Sequence, residues 1–278
     1  MEWTKKGFQA QNISSVLYEY SVKMDHIAEN GTINMTHFLT SEYNMIPQRQ
    51  SKHASLLDTK YEIVNMFYSP SGKKTIEWTF AKEKSFSSVL FNMSVDLAVD
   101  YYQKEGKELL DGQWEIINEL FSMFPKLPVT GLIHAFVYDI IGMDQILSHI
   151  VSSDSNYVDF DDRLSINSLD HKSFDMSAGL YDASSEYKNG DMKVGYLGEA
   201  VYHDRKTVVY YFSCDNASFQ MSDKNKSKKG FSYYRGNIAI DYETGILYGA
   251  DMTEYVFSGN NQLLRRDMMI KAKEVNFL

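Results

Sequence analysis

Alternation is the feature that most limits how this chain can fold. From residue 89 to residue 101 every odd position (Val89, Phe91, Met93, Val95, Leu97, Val99 and Tyr101) is apolar. Most positions between them (Ser88, Asn92, Ser94, Asp96 and Asp100) are polar. A period of two held this long sets one face of a strand against a core and the other in water. Gly106 then turns the chain, and Glu108 to Leu110 can run back as a short strand. Gly112 leads into a segment where Trp114, Ile117, Leu120, Phe121 and Phe124 recur at helical spacing. A two-faced strand followed by a one-sided helix predicts a curved sheet with helices packed on it.

Other stretches carry the same strand pattern. Asn30-Gly31 is a strong two-residue hairpin signal. A loop there pairs Ala28 with Ile33, His26 with Met35, Met24 with His37, Val22 with Leu39 and Tyr18 with Tyr43, all on one face. A second hairpin is predicted around Pro70-Ser71-Gly72, with Gly72 in the left-handed position and Val64, Met66 and Tyr68 sharing a face with Ile76, Trp78 and Phe80. Farther on, Gly195 to Tyr202 and Thr207 to Cys214 read as strands joined through His203-Asp204-Arg205, and Asp223 to Gly230 reads as a solvated loop. The segment GNIAIDYETGILYGADM (236–252) is a hairpin looped at Glu243-Thr244-Gly245, placing Ile238, Ile240 and Tyr242 beside Ala250, Tyr248 and Ile246. A turn at Gly259-Asn260-Asn261 leads to a last strand ending near Val275.

Between these strand-rich halves, Pro125 and Pro128 break the helical middle, so two or three helices are expected. From Leu132 onward Phe136, Ile140, Leu147 and Ile150 form a second apolar stripe. The expected fold is α+β: one β-rich domain over residues 1–278, with strands at about 15–111, helices at about 113–152 and strands at about 164–275. Its antiparallel sheet is curved, half-barrel-like, and packed against the block of helices.

Composition removes several functions. With 28 Lys and Arg against 37 Asp and Glu, the net charge of −9 supplies no basic footprint for nucleic acid. A single cysteine rules out an internal disulfide and any cysteine-based zinc cluster. The longest apolar run, Leu132 to Met143, carries His134 and Asp139 and is too short to span a bilayer. There is no glycine-rich phosphate loop, no G-x-S-x-G elbow and no H-E-x-x-H, so no cofactor is implied and an enzyme is the less favoured class. The excess is in 20 Tyr, 16 Phe and 14 Met, which suits two-faced strands around an apolar interior.

Two patterns bear on sites. On the first hairpin Met24, His26, Met35 and His37 share a face as adjacent cross-strand pairs, and thioether with imidazole suits copper. The plainer reading makes the methionines core filler and the histidines residents of the sheet margin. His203-Asp204-Arg205 could supply a base and a cation, or be only a turn. Asp154, Asp159, Asp161 and Asp162 lack the ligand order and glycine of a calcium loop, and Lys224, Lys226, Lys228 and Lys229 before Phe231 read as a loop entering a strand. Cys214, inside VVYYFSC, is expected to be buried and inert.

The stretches VDLAVDYYQKEGKELLDGQWEIINELF (95–121) and GNIAIDYETGILYGADM resemble exported envelope lipoproteins of Bacteroidetes, of unknown function. At a coarser level the plan is similar to the LolA/LppX-like carriers, whose bent antiparallel sheet holds an apolar cavity against helices. The resemblance implies a periplasmic or cell-surface protein whose leader has been removed, while composition leaves the cytosol open. The expected function is non-enzymatic binding of a lipid or other apolar small molecule, lined by Phe91, Met93, Val95, Leu97, Trp114, Phe121, Phe136 and Ile140. The alternatives are a structural or interaction protein of the envelope with a packed core, its protein partner unspecified, and a hydrolase using His203 with nearby acids.

Overall fold

A computed structural model describes residues 13–47, 59–80, 85–87, 131–152, 163–166, 186–188, 191–202, 204–223 and 226–278. In chain order these form β1 (Ile13–Ile27), β2 (Ile33–Pro47), β3 (Thr59–Pro70), β4 (Ile76–Thr79), β5 (Ser85–Ser87) and helix α1 (Gly131–Ser152). Then come β6 (Arg163–Ile166), β7 (Glu186–Lys188), β8 (Asp191–Tyr202), β9 (Arg205–Asp223), β10 (Lys226–Asp241), β11 (Leu247–Ser258) and β12 (Asn261–Phe277). All twelve strands belong to one open antiparallel sheet ordered β4-β3-β2-β1-β12-β11-β10-β9-β8-β6, with β5 paired to β3 and β7 to β9.

This corrects the expected α+β class. Among the described residues the scaffold is a sheet of long strands, with one helix laid across it and no block of helices. The balance shifts because backbone pairing runs much farther than the alternating apolar cores. Asp223 and Lys226 to Gly230 are strand and not loop: Lys226 pairs with Asp223, Lys228 with Met221 and Gly230 with Phe219, so the backbone ladder of β9 and β10 continues. The alternating strand at 89–101 and the helical segment at 113–124 lie outside the described residues.

Where pairs were predicted, the register largely follows the pattern. Val22 faces Leu39, Met24 faces His37, His26 faces Met35 and Tyr18 faces Tyr43. At the tip a bulge after His26 sets Ile27, and not Ala28, opposite Ile33. Tyr68 faces Ile76 and Met66 faces Trp78, and Gly72 takes φ 73° in the turn. In the late hairpin Ile238 meets Ala250 as predicted, but a bulge moves Ile240 from Tyr248 to Leu247.

Because side chains alternate across the pleat, the inner face is built in rows two residues apart. One row reads Tyr68, Leu39, Val22, Met268, Met252, Gly236, Phe212 and Val194 across eight strands. Its side-chain-bearing members are all 3% exposed or less. At Gly236 the chain needs glycine because an added Cβ would meet the Asp251 carbonyl and sit 2.6 Å from the Phe212 ring. The aromatic ring folds over the place a side chain would take.

Candidate functional site

Helix α1 lies on the inner face against β10 and β11. Leu132, Phe136, Ile140, Met143, Leu147 and Ile150 recur three or four residues apart and are buried at 2% exposure or less. Of the predicted ligand-lining residues, Phe136 and Ile140 therefore sit where the apolar stripe placed them. The Phe136 ring meets Tyr20 and Tyr43 edge-on, with centroids 5.0 and 6.1 Å away. Tyr43 in turn stacks on Tyr18 at 5.2 Å. Phe91, Met93, Val95, Leu97, Trp114 and Phe121 fall outside the described residues.

A charged cluster occupies the next row of the same face: His37, Met24, Arg266, Glu254, Tyr234 and Cys214, each paired to the next across β2, β1, β12, β11, β10 and β9. Arg266 is fully buried. Its Nη1 donates to both oxygens of Asp139 on α1 at 2.7 and 2.6 Å, and its Nε donates to Glu254 at 2.8 Å. The Tyr20 hydroxyl donates to Asp139 as well, at 2.8 Å. One guanidinium thus faces two carboxylates in a dry interior, and every component arrives from a different element.

Burial is the main force on the titrations here. It raises the Asp139 carboxyl to about 6 even though Arg266 pulls the other way. Burial alone would lower the Arg266 guanidinium, but Asp139 and Glu254 hold it above its ordinary value. Asp144, one turn along α1, is pushed far above the usual carboxylate range by burial, and its Oδ2 has no hydrogen-bond partner among the described residues. Glu254 Oε1 is likewise unpartnered there. Buried polar groups normally find partners, so among the described residues these two atoms stand out as acceptors still open.

Sequence reasoning passed over this cluster. Its signal was a charge at an inward position: Arg266 between Leu264 and Met268, Glu254 between Met252 and Val256, and Asp139 on the α1 stripe.

The first hairpin does bring Met24, His26, Met35 and His37 together. The two imidazole centroids are 5.2 Å apart with planes at 82°. His37 Nδ1 lies 2.8 Å from the Tyr68 hydroxyl, while His26 Nε2 is buried without a partner among the described residues. Burial holds both imidazoles below their ordinary pKa.

His203 is outside the described residues. Its neighbour Asp204 turns the chain at φ 65°, and Arg205 reaches Asp241 at 3.7 Å. Cys214 is buried, as expected. No described helix is long and apolar enough to cross a membrane.

The outer face carries a different surface. Phe231 stacks on Phe257 and Tyr233 on Tyr255, both pairs at 5.2 Å, and the Arg265 guanidinium sits 5.8 Å from the Tyr255 ring. Beside this stack runs an open groove of ≈ 760 Å³ lined by Tyr211, Asp215, Arg235, Asn237, Asp251 and Thr253, among others.

No family model matches the chain, and no curated protein matches it. Among solved structures it is similar to lipovitellin, in a work on lipid–protein interactions, at 10% identity and TM-score 0.42, covering 94% of this chain and 25% of that one. The chain therefore spans about a quarter of lipovitellin's length. It is also similar to a Bacteroides fragilis protein described as exported, with a YmcC-like fold, at 7% identity and TM-score 0.25 over 96% of this chain and 99% of that one. A third likeness is to a Vibrio parahaemolyticus domain described as an outer membrane lipoprotein-sorting protein, at 7% identity and TM-score 0.12 over 94% and 85%. All three TM-scores lie below 0.5, so none of these likenesses decides what the chain does.

Proposed function

We propose that the chain is a non-enzymatic, exported binding protein that holds an apolar ligand between the curved sheet and helix α1. The carrying observation is the width of the inner apolar face against a single described helix. The row from Tyr68 to Val194 crosses eight strands, which at about 4.8 Å per strand is roughly 35 Å. Helix α1, about 10 Å across, is narrower than this row, yet the row is buried along its length, and the reading takes a ligand as part of that cover. The reading assigns Phe136 and Ile140 to the site, and with them Phe91, Met93, Val95, Leu97, Trp114 and Phe121, which lie outside the described residues.

A ligand site of this type is mostly apolar with a few placed polar groups. The unpartnered oxygens of Asp144 and Glu254 suit that role. Two carboxylates against one guanidinium, with Asp144 held protonated by burial, disfavour an acidic headgroup. The reading is therefore a neutral lipid or similar apolar molecule.

The test is a solvent extract of the purified protein read by mass spectrometry, followed by titration with a fluorescent monoacylglycerol. A stoichiometric neutral lipid, or saturable probe binding weakened by Phe136→Ala, supports the reading. An empty extract with no saturable binding overturns it. The outer aromatic stack and its groove favour a second reading, an interaction protein of the envelope with a packed core. That reading gains if the extract is empty and Tyr233→Ala abolishes capture of an envelope partner that the unaltered protein retains.

A further inference from the structure

We infer that the margin of the first hairpin is a copper(I) site formed by Met24, His26, Met35 and His37. The ladder sets Met24 opposite His37 and His26 opposite Met35, so two thioethers and two imidazoles occupy neighbouring positions on one face. Two imidazoles bound to one ion at about 2 Å, at a tetrahedral angle, carry ring centroids about 5 Å apart. The observed separation is 5.2 Å. That spacing is compatible with both rings reaching one ion.

Three further observations point to a ligand. His26 Nε2 is a buried nitrogen with no partner among the described residues, which a packed core would ordinarily satisfy. His37 Nδ1 is 2.8 Å from the Tyr68 hydroxyl. When Nδ1 donates to that oxygen, the Nε2 lone pair is left free, the outer-sphere arrangement that orients a ligating imidazole. Met35 is 41% exposed while Met24 is fully buried, so the four groups run from an open margin inward and give an ion a way in.

The donor set decides which ion. Among the described residues no three His, Cys, Asp or Glu converge, so a metal that demands nitrogen and oxygen ligands finds only two. Two sulfurs complete a four-donor set, and thioether sulfur selects a soft ion, copper(I). Met is long and unbranched, so its sulfur adapts to the ion without backbone movement. Arg266 stands across the ladder from Met24, but its charge is already matched by Asp139 and Glu254. The other charges acting on the two imidazoles are of opposite sign, Asp25 at His26 and Lys73 at His37.

The test is anaerobic titration of the purified chain against copper(I) bicinchoninate. The protein is expected to withdraw one equivalent of copper(I). Met35→Leu and His26→Gln, both at the partly exposed margin, each weaken binding at least tenfold. Met269→Leu, an exposed methionine elsewhere on the sheet, leaves it unchanged. Melting curves taken alongside establish that the variants are folded, and X-ray absorption of the copper complex is expected to show sulfur and nitrogen neighbours. No withdrawal of copper, full affinity in a Met24→Leu/Met35→Leu double variant, or a copper shell without sulfur each overturns the assignment.

Discussion

Replacing Arg266 with methionine keeps most of the side-chain volume and removes the guanidinium, so it isolates the charge. Asp139 and Glu254 then remain fully buried with no cation between them. Removing one partner of a buried ion pair costs about 3–5 kcal/mol. Arg266 holds two acids through three hydrogen bonds of 2.6 to 2.8 Å, which puts its loss at the upper end, about 5 kcal/mol. Against a total stability on the order of 5–15 kcal/mol this is a third or more. Asp139→Asn is a milder change: it leaves Arg266 and Glu254 as a balanced pair, and the amide oxygen still accepts. Its expected cost is about 1–2 kcal/mol.

The pH dependence separates this account from simple loss of packing. A carboxyl whose folded-state pKa is raised above its unfolded value contributes stability in full below the unfolded pKa. That stability is lost as pH rises through the folded value. For Asp139 in the unaltered protein, the rise from 3.8 to about 6 corresponds to about 3 kcal/mol lost on going from acid to neutral pH. In Arg266→Met, burial acts on Asp139 without that counterion, so the penalty is small near pH 4 and grows as pH rises toward about 8. Asp139→Asn removes the titrating group and flattens the profile. Urea unfolding followed by circular dichroism at the two ends of this range reads both effects. An Asp139→Asn cost at pH 8 equal to that of Arg266→Met would refute the reasoning, and so would an Arg266→Met penalty that does not grow with pH.

Other perturbations test separate parts of the structure. Asp144→Leu removes a buried acid whose Oδ2 has no partner among the described residues, and is expected to stabilise by about 1–3 kcal/mol at neutral pH, less in acid, by thermal melting. Gly236→Ala drives a Cβ into the Asp251 carbonyl and the Phe212 ring and costs roughly 1–3 kcal/mol or more, whereas Gly31→Ala meets no neighbour and carries only the backbone cost of its positive φ. Tyr18→Phe strips the donor from the Leu247 carbonyl, a 2.7 Å bond in the interior, and is expected to cost about 1 kcal/mol in urea unfolding. Cys214 is fully buried, so a thiol reagent is expected to label it only at the rate of unfolding; prompt labelling of the native protein would contradict the packing of β9.

Period two was the legible part of this fold. The opening hairpin could be paired correctly from sequence because Tyr18, Val22 and Met24 agree with Tyr43, Leu39 and His37 on which side is apolar. Bulges could not be read, since the extra residue after His26 or beside Ile240 changes no residue type and shows only as a slipped pair. The lysine-rich tip of β9 and β10 reads as a loop because its run of polar residue types hides any alternation, whereas the backbone ladder continues into it. Helix α1 was legible from its stripe, yet the fold class was not. Class depends on how far strands extend, and Asp191–Tyr202 and Arg205–Asp223 both outrun their apolar cores. The charged cluster was hidden for another reason: Asp139, Arg266 and Glu254 are 127 and 12 residues apart in pairing, and nothing local links them.

The cluster also limits how an apolar molecule can enter the proposed site. Asp139 ties α1 to Arg266 on β12 and to Tyr20 on β1, while Arg266 is shared with Glu254 on β11. Lifting the helix would break the bidentate contact to Arg266 and strand ionised groups in an apolar surface. At about 1.5–3 kcal/mol for each charged hydrogen bond, the two Arg266–Asp139 bonds alone set a cost of roughly 3–6 kcal/mol. Loss of the apolar contacts along Leu132 to Ile150 adds to it. A tenfold drop in population for each 1.4 kcal/mol makes such an opening rarer than about one molecule in a hundred. Helix α1 is thus better suited to be a fixed wall than a door, and exchange belongs at the margins of the open sheet, where Ile33 and Met35 are exposed at one end and Leu197 and Val201 at another.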